Sequence, residues 1–161
     1  MHWLRQRGHQ GGMSFTSFMA QALDEARAAG ARGEVPVGAV IVSPTGAVVA
    51  RAGNRTRALA DPTAHAEVLA IRAACAAARS ERLVGYDLYV TLEPCAMCAG
   101  AISAARIGRL YYGAADPRSG GVAVGARVFS HPQCHHVPEV YDGIAAGEAE
   151  ALMRAFFAER R

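Results

Sequence analysis

The chain has 161 residues, 52% of them hydrophobic and 19% charged. This length suits one hydrophobic core and this composition is that of a compact soluble protein, while no apolar run approaches the roughly 18 residues that a membrane span needs. The net charge of +3 is too small to establish a nucleic-acid partner by itself. We therefore predict a cytoplasmic protein without a membrane partner.

The first residues, "MHWLRQRGHQGG", lack the long apolar core of a secretory signal. Helical periodicity begins only after Met13, so the sequence predicts a flexible leader over 1–13 and one domain over 14–161. Without a secretory signal, the sequence predicts no disulfide framework among the four cysteines. The close pair Cys95 and Cys98 instead indicates metal binding or redox activity.

Hydrophobic periodicity predicts helices and strands along most of the chain. They are, in chain order, a helix over 14–30, an antiparallel hairpin over 36–53, a helix that follows a capping turn over 61–63 and runs to about 80, a strand over 86–94, a helix over 95–106, a strand over 106–114, a weak strand over 137–143 and a helix over 145–161. The segment 115–136 is glycine-rich and irregular, with room for one short helix.

This order predicts an α/β fold, namely a three-layer α/β/α sandwich around a central mixed five-stranded sheet. The crossovers through helices make the later strands parallel. In such sheets, functional sites form beyond the carboxyl ends of strands, where helices begin. Two segments with reactive side chains, "DPTAHAEVLAIRAA" and "EPCAMCAGAI", lie at such junctions.

His65, Cys95 and Cys98 match the ligand set of a zinc site. The two cysteines are three residues apart at the start of a helix and share one face. Tetrahedral zinc accepts two thiolates and one imidazole, and three protein ligands leave the open position of a catalytic site. A lone histidine or a lone "CAMC" would more often be a core residue, a redox pair or a structural half-site. Taken together they predict one catalytic Zn²⁺ per subunit.

Glu67 lies two residues after His65, and side chains two apart on a helix wall do not face each other. Side chains in the first helical turn tilt toward the N-terminus, however, so a site just beyond the helix end can be reached from different faces. We therefore predict that His65 binds the metal while Glu67 takes a proton from bound water and returns it to the substrate.

The pattern H-x-E, then a strand, then P-C-x-x-C is the signature of zinc nucleobase deaminases, and it stands here as "HAE" and "PCAMC". Together with "EVPVGAVIV", "GNRTRALADPTAHAEVLAIR", "RIGRLYYGAADP" and "FFAERR", nearly all of the chain from Phe15 onward resembles the bacterial tRNA-specific adenosine deaminases of the cytidine/deoxycytidylate deaminase superfamily. The resemblance implies a cytidine deaminase-like sandwich. It also implies a homodimer that binds a tRNA anticodon stem-loop, of an arginine tRNA, and converts the wobble adenosine to inosine.

Further site residues are implied by the same resemblance. Asn54 would contact the target nucleoside, unless it only completes a polar turn after the hairpin. Asp116 would lie beside the target ribose, unless "ADP" is simply a turn. The segment 34–37 would line the pocket, whereas Glu93 is expected to brace the start of the helix after Pro94.

The histidine- and cysteine-rich "HPQCHH" at 131–136 could form a second metal site or a solvated loop that faces RNA, and we favour the loop. In the family that this chain resembles, asparagine often occupies the position of His135, and lysine usually occupies the position of Arg118. These differences leave the nucleotide contacts of both loops open.

Two other functions compete with this interpretation. A deaminase of free bases or nucleosides, such as guanine or cytidine, would share the fold and the zinc ligands. The segments around "EVPVGAV" and "LEPCAMCAGAI", with the arginines at Arg154, Arg160 and Arg161, favour the tRNA branch. A zinc-stabilised RNA-binding module without catalysis is the second alternative, but it would have no use for Glu67.

Overall fold

The computed structural model describes residues 17–160, which hold four helices, one 3-10 turn and five strands. The leader predicted over 1–13 lies outside the described residues. The elements are α1 (Met19–Ala31), β1 (Gly38–Val42), β2 (Val48–Gly53), α2 (Ala66–Ala78), β3 (Asp87–Leu92), α3 (Ala96–Ala104), β4 (Arg109–Ala114), a 3-10 turn (Val128–Ser130), β5 (Glu139–Tyr141) and α4 (Ala146–Ala158).

The five strands form one mixed sheet in the order β2-β1-β3-β4-β5. β1 is antiparallel to both β2 and β3. β3, β4 and β5 are parallel to one another, because the connections between them cross over the sheet, the first of them through α3. The predicted mixed sheet with parallel later strands is confirmed.

Each face of the sheet carries its own hydrophobic core, as the alternation of β1 illustrates. Ala39 and Ile41 pack under α2 and α3, with apolar side chains such as Ala70 and Ile102. Val40 and Val42 point to the opposite face, where α1 packs on β1 and α4 packs on β3 and β4. Two helical layers therefore enclose the sheet, which confirms the predicted three-layer sandwich.

The helices α2 and α3 lie on the same face and begin near the carboxyl ends of β3 and β4. The chain leaves β3 at Leu92, passes Pro94, and enters α3 at Ala96 with no intervening loop. The 54–65 loop brings the first turn of α2 to the same edge of the sheet, since residues of both first turns line one cavity. Sequence positions thirty residues apart thereby become neighbours.

Among residues 17–160, no helix is both long and apolar enough to cross a membrane.

Candidate metal and substrate site

His65, Cys95 and Cys98 come together where α2 and α3 begin. His65 is the N-cap residue of α2, Cys95 is the N-cap residue of α3, and Cys98 lies one turn further along α3. The Nδ1 atom of His65 is 3.6 Å from the sulfur of Cys95 and 3.4 Å from that of Cys98. Zinc bond lengths of about 2.3 Å to sulfur and about 2.05 Å to nitrogen at a tetrahedral angle predict roughly 3.6 Å between such ligand atoms. The two distances from His65 therefore match those expected around zinc, and all three ligand atoms lie within 4.8 Å of one another.

The protons of this cluster are shared among its three side chains. Hydrogen bonds from Cys98 and from His65 lower the pKa of the Cys95 thiol to about 4. The hydrogen bond to Cys95 and burial raise the pKa of Cys98, and the hydrogen bond to Cys95 raises the pKa of His65. A thiolate thus forms readily at Cys95. Hydrogen bonds from His65 and Cys98 stabilise its negative charge, as a bound cation would.

Glu67 is a buried carboxyl group in the first turn of α2, only 4% exposed. Burial raises its pKa to about 7, although its own backbone N–H and the charge of His65 oppose that shift. The Cys98 thiol also hydrogen-bonds to it. A carboxyl group that titrates near neutral pH can both accept and release a proton, as a general acid–base catalyst must.

A cavity of about 480 Å³ opens beside these residues and contains His65, Glu67 and Cys95 in its wall. Its other walls are both apolar and polar, as a site for a flat polar ring requires. The apolar side chains are Val35, Val37, Leu92, Met153 and Phe157, and the polar ones are Asn54, Thr56, Glu93, Asp116, Arg118 and Ser119.

Asn54 lines this cavity and also caps α2. Its Oδ1 accepts a hydrogen bond of 2.8 Å from the backbone N–H of Ala66, the first residue of the helix. The prediction that 61–63 cap the helix was wrong, because the Asp61 carboxylate instead accepts hydrogen bonds from the backbone N–H and the hydroxyl of Thr63. Its side chain therefore stabilises the start of α2 from a position in the cavity wall.

Asp116 likewise lines the cavity and shapes a turn. Its Oδ1 accepts hydrogen bonds of 3.1 Å from the backbone N–H groups of Arg118 and Ser119. The turn presents Arg118 and Ser119 to the same cavity.

Two buried glutamates hold the loops that border the cavity. Glu34 does not line it, although Val35 and Val37 of the same segment do. The Glu34 carboxylate accepts hydrogen bonds from the N–H groups of Arg57 and Ala58. Glu93 lines the cavity but does not brace the start of α3 as predicted, because its carboxylate turns toward the loop after β4.

The "HPQCHH" segment contributes no second metal cluster among residues 17–160. His136 uses Nε2 to donate to the carbonyl of Ile107, 2.7 Å away, and His131 uses Nδ1 to accept from the N–H of Gln133. Cys134 hydrogen-bonds with the Ser103 hydroxyl and the His136 carbonyl. The side chains of Cys134 and His136 attach the loop to α3 and to the segment between α3 and β4, and they do not converge on an ion.

The contribution of α4 to the cavity, through Met153 and Phe157, was not predicted. The periodicity of this helix marks its apolar face but cannot distinguish a face that covers core from one that borders a cavity. Phe157 is 45% exposed, which is unusual for a large aromatic side chain.

Several known proteins are similar to this chain in sequence and in structure. The sequence model of the "cytidine and deoxycytidylate deaminase zinc-binding region" matches residues 14–114. A tRNA-specific adenosine deaminase of Agrobacterium fabrum is 62% identical over 91% of this chain and 95% of its own. A solved structure from a study of A-to-I editing by tRNA:A34 deaminases at the wobble position of tRNA is 62% identical. It has a TM-score of 0.82 and covers 84% of this chain and 97% of its own. The guanine deaminase of Bacillus subtilis is more distant, with 31% identity, a TM-score of 0.62 and coverage of 92% and 94%.

Proposed function

Since this chain belongs to the cytidine and deoxycytidylate deaminase family, and within it to the tRNA-specific adenosine deaminases, we propose that it hydrolyses the wobble adenosine of a tRNA to inosine. An arginine tRNA is the expected substrate. One observation carries the chemistry: a buried carboxyl group, Glu67, shares a cavity with a His-Cys-Cys cluster of zinc-ligand geometry. A binding module without catalysis has no need of that carboxyl group.

His65 through Nδ1, Cys95 and Cys98 would hold one zinc ion per subunit. When bound with three protein ligands, zinc lowers the pKa of a water molecule to about 7 and so supplies a nucleophile at neutral pH. Two thiolate ligands balance the charge of the ion, and the N-terminal ends of α2 and α3 favour negative charge at the site.

Glu67 is the proton carrier of this reaction. It accepts a proton from the attacking water, and returns it to the ring nitrogen next to C6 as the C–O bond forms. Glu67 then takes the remaining proton from the new C6 hydroxyl and passes it to the amino group, which leaves as ammonia as the C–N bond breaks and the C6 carbonyl of inosine forms. Burial keeps the pKa of this carboxyl group near 7, so the group serves both as base and as acid at neutral pH.

Asn54 and Asp116 are the proposed substrate contacts. The Oδ1 of Asn54 is taken by the N–H of Ala66, so the amide presents its N–H₂ donors, and these select an acceptor atom of the nucleoside. The hydrogen bonds that Asp116 accepts within 17–160 end on Oδ1. Its Oδ2 is therefore the oxygen that would accept from the 2′-hydroxyl of the target ribose.

An anticodon stem-loop suits the site because its bases are already single-stranded and flip out at small cost. Arg118 at the cavity wall and Arg154 on α4 are exposed cations that suit the phosphates of such a loop. A homodimer and a cytoplasmic location complete the proposal. Met97 on α3 is 39% exposed, and methionine is among the apolar residues that are enriched at subunit interfaces.

The competing function is deamination of a free base, and the similarity to a guanine deaminase supports testing it. Zinc-loaded protein is incubated with an anticodon stem-loop that carries adenosine at the wobble position, and separately with guanine, cytidine and adenosine. The proposal predicts inosine in the stem-loop and much slower reaction of the free compounds. Reaction confined to the free compounds would contradict the tRNA assignment.

A further inference from the structure

Glu93 is a buried carboxylate directly after β3, only 2% exposed, and the chemistry proposed above gives it no role. Both of its oxygens accept hydrogen bonds from the loop that follows β4. Oε1 accepts from the N–H of Asp116 at 3.0 Å. Oε2 accepts from the N–H groups of Val122 at 3.2 Å and Ala123 at 2.9 Å. One side chain therefore forms hydrogen bonds with both ends of the segment 116–123, here called the 116–123 loop.

Close packing of two glycines fixes this loop further. A Cβ atom at Gly120 would lie 2.5 Å from Oε2 of Glu93 and 2.6 Å from the carbonyl oxygen of Asp116. A Cβ atom at Gly121 would lie 2.5 Å from the backbone nitrogen of Ala96, in the first turn of α3. The N–H of Gly121 also donates to the carbonyl of Pro94 at 2.8 Å. The loop thus lies directly against Glu93 and against the turn that carries Cys95.

The 116–123 loop supplies Asp116, Arg118 and Ser119 to the wall of the cavity that also contains His65 and Glu67. A shift of about 1 Å in such a wall is enough to cost a reaction on the order of 100-fold, because the substrate must be held in reactive geometry. Contacts between the loop and the start of α3 set the position of this wall relative to the metal ligands. Glu93 provides such contacts, because it binds the loop and directly precedes Pro94 and Cys95 in the sequence.

Glu93 is unsuited to be a second catalytic acid or base. Both of its oxygens accept hydrogen bonds from three backbone N–H groups of the loop, so the carboxylate is occupied in holding the loop. We propose that Glu93 is a positioning residue, which fixes the 116–123 loop against the first turn of α3 and thereby places Asp116 at the target nucleoside. This inference rests on the proposed function for its effect on substrate, but not for the anchoring itself.

Two variants disturb the same contact in different ways. Glu93→Gln keeps the size of the side chain but turns an amide N–H₂ toward backbone donors, so at least one of the three hydrogen bonds is lost. Gly120→Ala leaves Glu93 intact and forces the loop away from it. Glu148→Gln is the matched control, since Glu148 is 63% exposed on α4 and pairs only with Arg27 in the described part of the chain.

The anchoring is measured by hydrogen exchange of the zinc-loaded proteins, at the level of peptides that cover 115–123. Glu93→Gln and Gly120→Ala should exchange faster than wild type there, with zinc per chain unchanged, while Glu148→Gln should match wild type. Exchange at the wild-type rate in both variants would overturn the proposal. This result does not depend on any substrate, so it separates failure of the anchoring from failure of the proposed function.

The effect on substrate is measured by steady-state kinetics with the wobble-adenosine stem-loop and with the same loop that carries 2′-deoxyadenosine at that position. Loss of one charged hydrogen bond in the wall predicts a KM about tenfold higher, the equivalent of about 1.4 kcal/mol, and a smaller preference for the ribose substrate. A merely structural role would lower the active fraction, and therefore kcat alone. Unchanged KM and unchanged ribose preference in both variants would overturn the proposal.

Discussion

The side-chain oxygen of Asn54 lies 2.8 Å from the backbone nitrogen of Ala66 and accepts its hydrogen bond. The N-cap position of α2 is taken by His65, whose imidazole faces the two sulfur atoms and makes no capping hydrogen bond. A helix that begins with a metal ligand needs another partner for its first N–H groups. Asn54 supplies one from twelve residues earlier, and so joins the cavity wall to the helix that carries His65 and Glu67.

Substitution of Asn54 should separate these two roles. Asn54→Asp retains an oxygen that can cap α2 but loses the N–H₂ donors, whereas Asn54→Ala loses both. We expect both variants to deaminate on the order of 10- to 100-fold more slowly, because a buried hydrogen bond to the substrate is worth about 1–3 kcal/mol. Only Asn54→Ala should also lose about 1 kcal/mol of stability, measured by denaturant unfolding. Equal stability of the two variants would contradict the capping role.

Replacement of Cys98 should remove the metal. Cys98→Ser places a poor zinc ligand at a fully buried position and should yield protein with little bound zinc, no deaminase activity and a lower melting temperature, since zinc binding adds to folding stability. Cys75→Ser is the matched control, because Cys75 lies on α2 outside the His-Cys-Cys cluster. Zinc content is measured on the purified proteins by elemental analysis. Wild-type zinc content in Cys98→Ser would contradict the ligand assignment.

Glu34 should contribute stability that depends on pH. Burial raises its pKa, but hydrogen bonds from the N–H groups of Ala58 and Arg57 outweigh burial and hold the pKa below the ordinary value of 4.5. Its contribution is therefore fully present above the ordinary, unfolded-state pKa and is lost as the pH falls through the lower, folded-state pKa. Glu34→Gln should cost about 1–3 kcal/mol at neutral pH.

The test is urea unfolding of wild type and Glu34→Gln at matched pH values. The difference in unfolding free energy should shrink below pH 4.5, the ordinary pKa of the group, and protonation of other groups affects both proteins alike. Glu150→Gln, an exposed position on α4, should show no such difference. A gap between Glu34→Gln and wild type that stays constant from neutral pH into acid would contradict this assignment.

The sheet and its helices were predictable because the hydrophobic pattern is local. The run from 36 to 53 holds two β-branched segments separated by the turn signal "SPTG", and the predicted helix ends fall within a few residues of those of α2 and α3. The grouping of His65, Cys95 and Cys98 was predictable for a different reason, since strand and helix junctions converge at one edge of such a sheet.

Contacts that join distant segments through a polar side chain were not predictable in the same way. Nothing local to "DPT" at 61–63 shows that Asn54 caps α2 in its place. Nothing local to "LEP" shows that Glu93 turns toward residues 116–123 rather than toward α3. A carboxylate next to a helix start is equally consistent with either partner, and only the packed loop decides between them.

The proposal that His65 binds the metal while Glu67 transfers the proton is tested most directly by Glu67→Gln. Zinc content and deamination of the wobble-adenosine stem-loop are measured on the same preparations of variant and wild type, with stem-loop affinity determined in parallel. Loss of the proton carrier should reduce the rate of inosine formation by at least about 100-fold, while zinc per chain and affinity stay close to wild type. A variant that loads zinc and still forms inosine at a rate near that of wild type would contradict the proposed mechanism.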